Sequence, residues 1–175
     1  MEAYSSLILL NYKKFNEILN ILKLKLASYD NNEVIDALNA ITSLLDLNTN
    51  YFSDEFKHIL ITLIIDSLIW QCRADLTNCL NEAKLIISQK ENLITKEDIH
   101  LFCESLTNIR KTLTNYDDMD QKLKTKIKSA AAGLASTIHD FCINKEIKQE
   151  PEIMEWKNIV QNENEFSEIR NQWSY

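Results

Sequence analysis

The 175-residue chain has one glycine, Gly133, and one proline, Pro151. Phosphate-cradling loops, dinucleotide turns and nucleophile elbows need several glycines, where the backbone takes positive φ or closely approaches a ligand. That shortage sets aside P-loop, Rossmann, α/β-hydrolase and kinase chemistry, and it leaves β-hairpins without their usual turn residues. Long apolar runs are also scarce. The longest, Ile59 to Trp70, is interrupted by Thr62, Asp66 and Ser67, well short of the roughly 18–20 residues a membrane crossing needs. Cys72, Cys79, Cys103 and Cys142 form no CxxC pair, and Met1-Glu2-Ala3-Tyr4 lacks the basic leader of a secretory signal. The expectation is four reduced thiols in a cytoplasmic protein without a membrane partner.

Excess positive charge is missing too. Nineteen Lys and Arg stand against 26 Asp and Glu, a net charge of −7 with an isoelectric point near 5.0. A nucleic-acid binder must neutralise phosphates, so this balance disfavours one. The alternating Lys122, Lys124, Lys126 and Lys128 spread around a helix and read as a solvated face. Residues 146–175 hold three basic and seven acidic side chains, hence more than half of the net negative charge.

What is present is apolar residues at helical spacing almost throughout, which predicts an all-α fold of seven or eight helices. The first, residues 4–28, sets Ile8, Tyr12, Phe15, Leu19, Leu22, Leu26 and Tyr29 in a heptad seam that serves either an intramolecular bundle or a homodimer. Asp30-Asn31-Asn32 breaks it, because short polar side chains compete for backbone hydrogen bonds. The second helix spans about Asn32 to Leu47. Ser53 and Thr95 are N-cap candidates followed by acids in the first turn, where the helix dipole favours them. They lie 42 residues apart, and at that offset Leu38 meets Leu80, Glu55 meets Glu97, His58 meets His100 and Ile64 meets Leu106. Residues 32–73 and 74–115 thus read as two copies of a helical hairpin. In period and apolar rhythm they resemble HEAT and armadillo repeats, which implies stacked antiparallel hairpins, with an irregular helical bundle as the other arrangement. A long helix follows over 117–145, thinned by Ala130-Ala131-Ala132-Gly133. These elements make a helical domain, 1–145. Glu150-Pro151 restarts the chain into an acidic, Trp-containing C-terminal segment, 146–175, with short helices over Pro151 to Gln161 and Glu163 to Trp173.

Two ExxH motifs, Glu55-x-x-His58 and Glu97-x-x-His100, resemble the ligand pairs of ferritin-like di-iron bundles, where a Glu and a His one turn apart bind one metal. In helical phase, however, each lies on a polar stripe opposite its helix's apolar face, whereas di-iron ligands project into the core. His139-Asp140 resembles the HD pair of all-α phosphohydrolases, but the family's outer His and Asp have no counterpart. His100, Cys103 and Cys79 supply three of the four ligands a structural zinc needs. The sequence therefore predicts a metal-free, cofactor-free, non-enzymatic protein-interaction module. It would be an acidic inhibitor, antidote or adaptor for a basic partner, with an all-α metalloenzyme using Glu55, His58, Glu97 and His100 as the competing class. The partner-binding candidates are Trp156, Glu163, Glu165, Phe166, Glu168 and Trp173, since aromatic anchors dominate interfaces and acids steer a basic partner. Alternatively, these aromatics pack back on the first helix.

Overall fold

A computed structural model describes residues 2–46, 53–68, 76–115, 118–162 and positions 166, 170 and 173, with side chains from residue 13 onward. The described residues form seven α-helices and one short 3-10 turn, and no strand. The helices are α1 (Glu2–Leu26), α2 (Asn31–Asp46), α3 (Asp54–Ser67), α4 (Leu76–Gln89), α5 (Lys96–Asn115), α6 (Gln121–Asn144) and α7 (Pro151–Asn162), with the turn at Glu91–Leu93 before α5. No described helix is long and apolar enough to cross a membrane. The chain divides into two compact units at Leu47 and Asn48.

The first unit is α1 packed on α2. Phe15, Leu19, Leu22 and Leu26 of the seam are buried, as are Val34, Leu38, Ile41 and Leu45 on α2. The seam stops there: Tyr29 lies beyond the helix and is 94% exposed. Asp30 starts α2, its Oδ1 accepting from the Asn32 amide at 2.9 Å. Lys25 and Asp36, 3.8 Å apart, add an exposed ion pair between the two helices. A second apolar ridge on α1, Ile18, Ile21 and Leu24, remains exposed.

The second unit is a bundle around α6, which packs on α4, α5 and α7, while α3 packs on α4 and α5. Asp120 caps α6 through a 2.9 Å bond from the Leu123 amide. Ile127, Leu134, Ile138 and Phe141 bury its apolar face, and Ala131 through Ser136 are buried consecutively. A helix buried on every side must be narrow, and the alanines make it so. Ser53 and Thr95 both cap as expected. Thr95 and Asp98 form a reciprocal box: the Asp98 amide donates to Thr95 Oγ1 at 3.1 Å, and the Thr95 amide donates to Asp98 Oδ2 at 2.8 Å.

The 42-residue match persists in burial, with Leu38 and Leu80 both interior and His58 and His100 both exposed. The packing partners differ between the copies. The boundary between units falls inside the first copy, so α2 pairs with α1, whereas α4 packs broadly on α6. The architecture fits the helical-bundle form of the expected fold.

Candidate functional site

The two ExxH motifs are exposed as the polar stripe requires, but their partners are not the ones their spacing suggests. His58 Nδ1 lies 3.6 Å from Oδ2 of Asp98, a carboxylate only 1% exposed. That contact sets the first turn of α3 beside the first turn of α5. His100 Nδ1 lies 3.2 Å from Glu150 Oε1, and its Nε2 3.6 Å from Glu104. Among the described residues no group of three or more His, Cys, Asp or Glu side chains is placed to hold a metal. Glu55, His58, Glu97 and His100 are therefore not drawn into one such centre. Cys79, Cys103 and Cys142 are buried free thiols on three different helices, and Cys72 lies outside the described residues. Burial, with Glu150 nearby, pushes the Cys103 thiol up to about 12 and raises that of Cys142. Both are neutral packing groups at physiological pH.

The tail candidates divide. Trp156, Phe166 and Trp173 are buried, while Glu163, Glu165 and Glu168 lie outside the described residues. Trp156 belongs to α7, which packs on α5 and α6. Lys128 of α6 stands 5.5 Å over the Phe166 ring. Trp173 tilts against the ring of His139, their centroids 5.3 Å apart. The Arg170 guanidinium donates from Nε to the carbonyl of Val160 in the last turn of α7 at 3.4 Å, as basic side chains do at helix C-termini. As folded, these aromatic rings are interior, and their surroundings are α5, α6 and α7 of the second unit.

Sequence reasoning missed the fastening of α7. Arg110 on α5 makes a two-pronged contact with Glu152, Nε to Oε1 at 2.7 Å and Nη2 to Oε2 at 2.8 Å. This hydrogen bonding raises the Arg110 pKa above its ordinary value against the opposing effect of burial. With His100 and Glu150, it binds two of the seven C-terminal acids to the chain itself. Only the T-x-x-D cap at Thr95 was visible locally. Pairs 42 and 50 residues apart leave no periodic trace.

Glu146 and Glu155 of the tail are exposed, and further outward acids lie on α3 and α5. Glu97, Leu101 and Glu104 share one exposed face of α5, with Leu101 39% exposed. Asp54 and Glu55 are exposed at the start of α3, the end that His58 joins to α5. No protein-family model, curated protein or solved structure matches the chain significantly.

Proposed function

We propose that this protein is a non-enzymatic interaction module that binds a partner protein through an acidic helical face, acting as an inhibitor, antidote or adaptor. The observation that carries the reading is the juxtaposition of the α3 and α5 first turns. Asp54 and Glu55 are exposed on the first turn of α3 and Glu97 on that of α5, where Lys57 and Lys96 are the basic side chains, and Leu101 and Glu104 continue the exposed face of α5, with His100 3.6 Å from Glu104. Charge complementarity of this kind accelerates encounter with a basic surface, and a central apolar side chain supplies the desolvated contact. The free thiols Cys79, Cys103 and Cys142 support a reducing, cytoplasmic setting. Glu163, Glu165 and Glu168 remain candidates for steering, whereas the buried Trp156, Phe166 and Trp173 serve the core.

The test is affinity capture by the whole protein, followed by association kinetics with the captured partner. The triple variant Glu55→Lys, Glu97→Lys, Glu104→Lys should slow association by about tenfold or more at low salt, with the difference shrinking as ionic strength rises. Leu101→Ala should mainly speed dissociation. A partner that binds wild type and triple variant equally, or whose cross-links avoid α3 and α5, would overturn the reading.

A further inference from the structure

We propose that the groove between α4 and α6 is a binding site for a small, hydroxyl-rich phosphate ester of the sugar-phosphate type. The groove holds about 440 Å³ and is lined by Thr77, Asn81 and Lys84 of α4 and by Lys126, Ser129, Ala130 and Gly133 of α6. The spacing explains its composition. Residues 77, 81 and 84 form one stripe of α4, and residues 126, 129, 130 and 133 form one stripe of α6, so the two helices turn polar edges toward one another. The size falls within the roughly 300–1,000 Å³ of small-molecule sites.

Three observations specify the ligand. Two of the seven lining residues are lysines and none is acidic, in a chain of net charge −7. Neither Lys84 nor Lys126 makes an ion pair or side-chain hydrogen bond among the described residues, so both ammonium groups are available to phosphoryl oxygens. The neutral groups are equally uncommitted. Helical hydroxyls elsewhere turn back on their own backbone, as Thr62 does to His58 and Thr107 to Cys103, whereas Thr77 Oγ1, near the start of α4, is buried with no hydrogen-bond partner among the described residues. Asn81 and Ser129, which make no side-chain hydrogen bond among the described residues, offer hydrogen bonds suited to sugar hydroxyls. No aromatic ring lines the groove, so a nucleobase would find nothing to stack on.

The only glycine in the chain forms part of the floor. A Cβ at Gly133 would lie 3.8 Å from Lys84 Nζ and 3.9 Å from its Cδ. That is ordinary contact, so the position tolerates alanine sterically, and helix propensity favours it. Replacing Gly133 therefore narrows the groove without harming the fold.

The experiment titrates the full chain with ribose 5-phosphate, inorganic phosphate and ribose, read by calorimetry and amide chemical shifts. Ribose 5-phosphate should bind one-to-one and shift amides of α4 and α6, inorganic phosphate should bind more weakly, and ribose should not bind measurably. Lys84→Met and Lys126→Met should each weaken binding about tenfold, whereas Lys122→Met, exposed on α6 outside the groove, should leave it unchanged. Gly133→Ala should weaken binding while raising the thermal midpoint, which separates a filled site from a damaged fold. The proposal fails if ribose 5-phosphate does not saturate at millimolar concentration, if Lys122→Met weakens it as much as the groove variants, or if only phosphoinositide vesicles bind.

Discussion

Glu146 is the residue at which backbone chemistry and side-chain identity disagree. Its φ of 54° lies in the left-handed region. The Ile147 amide reaches back to the Cys142 carbonyl at 2.8 Å and the Glu146 amide to Ile143 at 3.2 Å, the pattern in which a helix end is normally closed by glycine. A side chain there crowds its own carbonyl, at a cost of about 1 kcal/mol. Glu146→Gly should stabilise the protein by about that amount, seen as a higher urea midpoint with unchanged slope, while Glu146→Val should destabilise it. Cys103 makes a prediction with pH. A thiol that titrates near 12 when folded and near 9.0 when exposed keeps its proton longer in the native state. Stability should thus be insensitive to this group below pH 9 and decline between about 9 and 12 as the unfolded chain ionises first. Native protein at pH 8 should leave Cys103 and Cys142 unalkylated by iodoacetamide, as peptide mapping can check; labelling as fast as in urea would contradict their placement.

Among the elements, α7 shows how much was readable in advance. Pro151 marks its first residue because its ring suits the first turn and its missing amide is unneeded there, and Ile153, Trp156 and Val160 mark its buried face. Which helices receive that face depends on Arg110 and Glu152. Arg110→Ala would strand a carboxylate that is only 8% exposed. Breaking a buried pair costs about 3–5 kcal/mol, and partial exposure of the arginine reduces this to about 1–3 kcal/mol. The double variant Arg110→Ala, Glu152→Ala should recover part of the loss, and a double-mutant cycle on thermal unfolding measures how much. Trp156→Ala should cost about 3–5 kcal/mol, as large core truncations do. An unchanged midpoint would return that tryptophan to the surface and revive its partner-binding role.

For the whole molecule, the division at Leu47 and Asn48 predicts unequal autonomy. Residues 48–175 pack α4, α5 and α7 around α6 and should fold cooperatively when expressed alone, with dispersed amide resonances. Residues 1–47 contain one helix pair, near the size at which a single core becomes marginal, and should be largely unfolded in isolation by circular dichroism. A cooperative melt for the short fragment, or none for the long one, would contradict this.

What the sequence by itself determined were quantities with a short range along the chain. The all-α class, the caps at Ser53 and Thr95, the seam from Phe15 to Leu26, the polar placement of both ExxH motifs and the restart at Pro151 all follow from relations within four residues or from repeating apolar spacing. The tertiary structure decided the pairings: His58 with Asp98, His100 with Glu150, Arg110 with Glu152, His139 with Trp173, and Lys84 over Gly133. The reason is energetic as well as geometric. An exposed pair contributes about 1 kcal/mol or less and imposes no periodicity on the residues between its members, so many pairings are compatible with the same pattern of faces. Choosing among them requires the whole core to be packed at once. The tryptophans of the tail show the consequence: their spacing announced an apolar face, and only the packing of α7 on α5 and α6 and of Trp173 on His139 showed that this face turns inward.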